Sequence, residues 1–250
     1  MSQGASGSRP LHPADKKPHA TSESPSRTPG HPLPDKHAHA KEVIRRLRKE
    51  YPHAHIVLDF GSNWELLVAV VLSAQATDKM VNQVTQKLFK KYRTVEDYAG
   101  ADAAEFEIDI RPTGFFRNKT KHIIAAAQKV LSDFGGEVPS SMTELLTLPG
   151  VARKTANIVL GNANPAAYAK DPDAGIAVDT HVSRLSQRLG LAKSKDPEKI
   201  ERELMEIVPR RDWFPLTYLL IDHGRAVCTA KRPRCAECLL NDICPSAFRV

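Results

Sequence analysis

Cysteine is absent from this 250-residue chain until Cys228. A disulfide scaffold spreads its cysteines through a small secreted chain, so none is expected here. Long apolar runs are missing too. The longest, Leu66 to Leu72, falls well short of the roughly 18 residues of a membrane span, which excludes a membrane partner. The N-terminus has no apolar core of a secretory signal. Asp15, Glu23 and Asp35 interrupt it and no apolar face forms, which argues against a transit peptide. Alternating strand patterns are nearly absent, so the fold class is all-α.

Residues 1–39 lack aromatic side chains altogether and have only Met1, Leu11 and Leu33 as large aliphatics. They hold 7 of the 18 prolines and 5 of the 10 histidines. Such a segment buries too little surface to offset its ordering entropy and is expected to be a disordered tail. Its histidines (His12, His19, His31, His37, His39) are scattered, as in a solvated tail rather than a metal site.

Charge of one sign is in modest excess. Lys and Arg number 36 against 29 Asp and Glu, a formal net charge of +7. The tail carries +2 of it, leaving +5 on the remainder. An acidic partner such as nucleic acid fits, but only the placement of the cations decides.

From Lys41 the pattern turns helical. Val43, Ile44, Leu47 and Tyr51 share a face opposite Arg45, Arg46, Arg48 and Lys49. Ser62 and Glu65 form a capping-box pattern ahead of Trp64–Leu72, a run apolar on all sides that reads as a buried central helix. Val81, Val84, Leu88 and Tyr92 mark another helix. Ile123, Ile124, Ala127, Val130 and Leu131 mark the next, closed by Gly135-Gly136. Ser141 and Glu144 repeat the capping-box pattern. Val182, Leu185 and Leu189 line a helix stopped by Gly190. Asp196-Pro197 looks like an N-cap followed by the first helical residue. A last helix is expected from about Phe214 to Gly224. Asn164-Pro165 and Asp171-Pro172 make 161–175 read as a loop.

The four cysteines, Cys228, Cys235, Cys238 and Cys244, crowd into the C-terminal end with spacing C-x6-C-x2-C-x5-C. Zinc prefers paired knuckles, and only one C-x2-C is present. Irregular spacing in a compact loop suits a cubane, where each thiolate reaches a separate iron, so iron–sulfur is favoured over zinc. A metal site of this kind belongs in a reducing compartment. Lys231, Arg232 and Arg234 lie between the first two cysteines, either as a solvated basic loop or as a phosphate-facing finger.

Leu148-Pro149-Gly150-Val151-Ala152 separates two helical segments, and Arg153-Lys154-Thr155-Ala156 opens the second. This is either a generic helix–turn–helix connection or a turn whose free N–H groups bind a phosphate oxygen. Lys154 is by itself an ordinary surface charge. A neutral lysine amine, however, is a nucleophile toward an electrophilic sugar carbon and forms a Schiff base. Asp179, in Ala177-Val178-Asp179-Thr180-His181, is an ordinary N-cap. It is equally a carboxylate able to accept a proton or to stabilise an oxocarbenium ion.

Four motifs occur together: Leu72-Ser73-Ala74-Gln75-Ala76-Thr77-Asp78, Leu148 to Ala156, Ala177 to His181, and the cysteine pattern. In this order they resemble the endonuclease III family of DNA glycosylase/abasic-site lyases, in the helix–hairpin–helix superfamily, over roughly 40–250. The resemblance implies two helical lobes with a DNA-binding cleft. One is a six-helix lobe over 62–170; the other combines 40–61 with 171–250 and holds a [4Fe–4S] cluster on Cys228, Cys235, Cys238 and Cys244.

It further implies excision of oxidised pyrimidines from duplex DNA and strand cleavage by β-elimination, by a cytoplasmic, nucleoid-associated monomer. Lys154 would attack C1′ and Asp179 would assist. Gln75 matches a wedge that fills the vacated stack, and Phe115 aligns with an intercalating leucine. Gly150, Ala152, Arg153, Lys231, Arg232 and Arg234 would contact DNA. Ser73 and His181 fall near the pocket without an assigned step. One departure is Ala152, where the family has a second hairpin glycine: a methyl there could crowd a phosphate or exclude a positive φ.

Two other functions compete. The related adenine mismatch glycosylases lack a lysine at the position of Lys154 and carry a glutamate in the earlier helix, where this chain reads Ser73 to Thr77. A non-catalytic DNA-binding module would leave Lys154 and Asp179 idle.

Overall fold

The computed structural model describes residues 35–250, and every regular element among them is helical. Most of the expected tail, residues 1–34, lies outside the described residues. Its last part does not behave as a tail. Helix α1 runs Lys36–Glu50, capped by the Asp35 side chain, which accepts from Ala38 N. His39 is only 3% exposed, and its Nε2 lies 2.7 Å from the Leu189 carbonyl oxygen. Composition placed the boundary at 39; a partner 150 residues away moves it to 35.

Apolar side chains gather into two cores. The first spans Leu58 to Ala174 and centres on α2, Asn63–Leu72. Every residue from Leu66 to Leu72 is buried, which is why that run shows no polar face. Ser62 Oγ accepts from Glu65 N at 3.1 Å, but the Glu65 carboxylate reaches back to Gly61 N rather than to Ser62 N. Against α2 pack α3 (Asp78–Lys91), the long α6 (Phe116–Phe134) and α8 (Arg153–Ala163), while the short α4 (Val95–Ala99) and α5 (Ala103–Ile110) pack on α6 and α7 (Met142–Leu145) packs on α8. Gly135 ends α6 in the left-handed conformation at φ +59°, as its sequence signal indicated.

The segment expected as a loop over 161–175 is largely helical. Helix α8 continues to Ala163, and α9 spans Pro165–Lys170. The same Asn164-Pro165 pair that reads as a turn serves as a cap: Asn164 Oδ1 accepts from Ala167 N at 3.0 Å, and Pro165 takes the first helical position. The remainder is tied down by Asp171, whose carboxylate accepts from Met142 N at 2.7 Å.

The second core joins α1 to α10 (Thr180–Arg188), α11 (Pro197–Ile207) and α12 (Trp213–Ala226), with Cys228, Cys238 and Cys244 packed against it. Asp196 and Pro197 act as the expected cap and first residue of α11. Arg46 fastens α1 to the cysteine loop through Asp242 and the Leu239 carbonyl, and Tyr51 Oη meets His223 Nδ1 at 3.1 Å.

Between the two cores, α8 and α12 touch closely. A Cβ on Gly161 would stand 2.1 Å from the Phe214 ring, so only glycine permits this approach. Arg225 and Asp78 add an ion pair at 2.5 Å.

Candidate functional site

The hairpin between α7 and α8 turns on Gly150. Its φ is +78°, and a Cβ there would lie 2.7 Å from His122, so glycine is needed twice over. Buried Leu148 and Val151 anchor the turn, with Val151 N bonded to Leu148 O at 3.1 Å. Ala152 stands at the N-cap of α8 with φ −88° and ψ 169°, ordinary extended backbone. The methyl therefore conflicts with no backbone requirement. Alanine supplies no side-chain cap, so the first N–H groups of α8 keep their donors for another acceptor.

Lys154 is the second residue of α8 and is exposed. Its neighbour Arg153 turns away. The Arg153 guanidinium pairs with Glu201 Oε2 at 2.7 Å and donates to the Asp173 carbonyl at 2.9 Å. Glu201 is itself buried and accepts from Asn157 at 3.2 Å. The Arg153 guanidinium thus forms a strut that joins α8 to α11.

Asp179 caps α10. Its Oδ1 accepts from His181 N at 2.8 Å and Val182 N at 2.7 Å, and its Oδ2 lies 3.1 Å from His181 Nδ1. Burial alone would raise its pKa. The His181 side chain, the Val182 N–H and the positive charges of His181 and Lys154 outweigh that and hold the carboxyl below the usual carboxylate value. The structure therefore brings Lys154 on α8 and Asp179 on α10 within electrostatic reach, one from each core. His181, without a role from sequence, turns out to orient the carboxylate.

Gln75 and Phe115 are exposed, and both adopt left-handed backbone, at φ +55° and +48°. Phe115 is 62% exposed, which removes a core packing role. Ser73 is half-buried and donates to Val70 O at 2.7 Å, ending α2.

The cysteine loop is braced by arginines. Arg188 donates to the carbonyls of Thr229 and Ala230 at 2.8 and 2.9 Å, and its Nη1 lies 3.4 Å from Cys228 Sγ. Leu240 N donates to Cys238 Sγ at 3.4 Å. The four thiols are free of disulfides and half-buried. Burial pushes the free Cys238 thiol up to about 12. Among the described residues no three His, Cys, Asp or Glu side chains are grouped to hold a single metal ion. The Leu240 N–H aimed at Cys238 Sγ and the Arg188 guanidinium beside Cys228 Sγ are the kind of donors that an anionic iron–sulfur site uses. Lys231 and Arg232 are exposed, whereas Arg234 is engaged by the Ala226 carbonyl and by Glu237 at 3.1 Å.

Comparison with known proteins places this geometry. Residues 68–210 match the HhH-GPD superfamily of base excision DNA repair proteins, and 228–244 match the iron–sulfur binding domain of endonuclease III. The class is therefore a helix–hairpin–helix DNA repair protein with an iron–sulfur loop.

Endonuclease III of Synechocystis sp. is 51% identical over 215 residues, covering 86% of this chain and 95% of its own. Endonuclease III of Escherichia coli K12 is 38% identical over 203 residues, covering 81% and 93%. A solved structure of a trapped endonuclease III–DNA covalent intermediate superimposes with a TM-score of 0.78 at 40% identity, covering 84% of this chain and 96% of that one. The chain belongs to the endonuclease III family, the bifunctional DNA glycosylase and abasic-site lyases of oxidised pyrimidines. Cys228, Cys235, Cys238 and Cys244 hold its [4Fe–4S] cluster.

Proposed function

We propose that Lys154 and Asp179 carry the reaction. The unprotonated Lys154 amine attacks C1′ of the damaged nucleotide; the glycosidic bond breaks and its electron pair leaves with the base. The C1′–O4′ bond of the sugar ring then breaks, O4′ takes up the proton released by the amine, and the C1′–N bond becomes an iminium, which acidifies the C2′ proton. Loss of that proton expels the 3′ phosphate oxygen and cuts the strand. Asp179, ionised at neutral pH, stabilises the cationic sugar and accepts a proton from the attacking amine. The observation that carries this reading is the convergence of an exposed lysine and a depressed, well-bonded carboxylate from the two cores.

The remaining roles follow from placement. The free N–H groups around Gly150 and Ala152 take a phosphate oxygen, and Lys231 and Arg232 take others on the same strand face. Gln75 and Phe115 enter the duplex where the lesion leaves it. The cluster, when bound, cross-links the loop that presents these cations. Two lobes, 62–170 and the pair 40–61 with 171–250, form the walls of the cleft, with α1 extending the second wall back to Lys36. The substrate is duplex DNA bearing an oxidised pyrimidine or abasic site, bound by a monomer in the cytoplasm at the nucleoid.

Borohydride trapping tests the chemistry. The native protein should form a covalent adduct with a thymine glycol or abasic duplex, and Lys154→Gln should form none. A trapped adduct in Lys154→Gln would assign the nucleophile elsewhere.

A further inference from the structure

Lys119, in the first turn of α6, is a lysine that the reaction does not use and that water barely reaches. It is 5% exposed. Its Nζ donates to the Leu72 carbonyl and to the Thr113 carbonyl, each at 2.8 Å. Burial alone pulls its amine down to about 8, with no acid contributing. A buried cation without a carboxylate is costly, and its two carbonyl partners repay only part of that cost. A helix stitched for stability alone would do better with an apolar side chain.

Its two partners give it another use. Leu72 is the last residue of α2, three residues before Gln75. Thr113 ends a short 3₁₀ turn, two residues before Phe115. Gln75 and Phe115 are exposed, and both hold left-handed backbone that non-glycine residues adopt only when their surroundings impose it. Local bonds fix each loop separately: Ala76 N to Ser73 O at 3.1 Å, and Gly114 N to Arg111 O at 3.2 Å. Lys119 alone among these groups grips both chain segments at one atom.

We infer that Lys119 is a positioning residue that locks the Gln75 loop and the Phe115 loop into a single two-pronged probe with a fixed gap between the prongs. This rests on the proposed insertion of Gln75 and Phe115 into DNA. Two prongs held at fixed spacing displace a base pair in one motion, because neither has to be ordered at the moment of entry.

The test uses the full chain with its cluster and Lys119→Met. Extrusion is read from the fluorescence of 2-aminopurine placed beside a thymine glycol in duplex DNA. Schiff-base formation is read from borohydride trapping on single-stranded abasic DNA, which has no base pair to open. Extrusion should fall about 10²-fold, the scale of a misplaced group, while single-strand trapping stays at the native level. Gln75→Ala and Phe115→Ala should each weaken extrusion in the native background and add little in Lys119→Met, because the coupling is already lost.

Equal loss in both assays would mean that Lys119 only supports the fold, and full additivity would mean that the prongs act independently; either overturns the proposal. Native extrusion in both Gln75→Ala and Phe115→Ala would instead remove the insertion reading itself. Should Lys119→Met not fold, Lys119→Gln carries the same comparison. It keeps a donor but is one bond shorter than needed to reach both carbonyls. Unchanged extrusion in that variant overturns the proposal.

Discussion

The hairpin side and the cluster side of the molecule, each built around its own core, treat their polar groups in opposite ways. On the hairpin side, donors are left open: Ala152 provides no cap, Lys154 is exposed, and Gln75 and Phe115 project on left-handed backbone. On the cluster side, Lys231 and Arg232 are exposed, but the polar groups around Asp179 and the cysteine loop are already bonded. Asp179 accepts three hydrogen bonds, and Arg188 and Arg46 are spent on carbonyls and carboxylates. One side is built to receive a ligand, and the other to hold a shape. A group that must bond to DNA stays unsatisfied beforehand; a group that must keep its charge and direction is satisfied in advance.

Breaking the held side should have the largest effect. Cys238→Ser, or removal of iron by chelation, should abolish the brown visible absorption and lower the melting temperature of the cluster lobe. Binding free energy at a structural metal site is folding free energy. Elemental analysis for iron, with calorimetry, checks it.

Asp179→Asn sharpens the contrast within one residue. Asparagine caps a helix as well as aspartate does, so stability should change by less than about 1 kcal/mol. Turnover on an abasic duplex should nevertheless fall by about 10²–10⁴-fold. The pH dependence follows from the sign of the shift. A carboxyl held below its unfolded value of about 3.9 contributes stability above that pH and loses it only as pH falls through the lower folded value. Above about pH 5 the titration of Asp179 itself therefore adds no pH dependence to the difference between native and Asp179→Asn melting temperatures, and any that calorimetry finds there comes from its partner His181. An acid limb of activity in that range belongs to another group.

On the receiving side, Gly150→Ala should cost about 1–3 kcal/mol from positive φ, with the His122 collision added, and should weaken duplex binding. Ala152→Gly, at ordinary φ, should stay within about 0.5 kcal/mol. The smallest effect is expected at the basic finger. Lys231→Ala and Arg232→Ala should each reduce the slope of log affinity against log salt by about 1, without altering lesion choice. Fluorescence anisotropy at several salt concentrations measures it.

Features set by neighbours in sequence were readable in advance. The capped helices, the buried α2 and the turn at Gly150 depend on residues within a few positions. What sequence misjudged depends on distant partners or on signals with two meanings. His39 joined a helix because Leu189 accepts its ring nitrogen. The Arg153 guanidinium is tied to Glu201, 48 residues later. Asn164-Pro165 began a helix because a turn and a cap use the same two residues. Lys119 gave no signal at all, since its partners are main-chain carbonyls of two loops. Of the proposed catalytic pair, the residues were legible as types in motifs, whereas the orientation of Asp179 by His181 needed coordinates.

The placement of α1 carries a consequence for how the molecule is made. Its apolar face, Val43, Ile44 and Leu47, packs on a core otherwise supplied from Ile176 onward and reaching to Leu240. The first core draws its buried residues from Leu58 to Ala174, with Phe214 from the later chain packed against it. Synthesis thus produces the buried residues of the hairpin lobe first, while the apolar stripe of α1 waits uncovered for its partners between Ile176 and Leu240. The segment that begins the described chain is among the last to find its place, and the cysteines that arrive at the end close the ring around it.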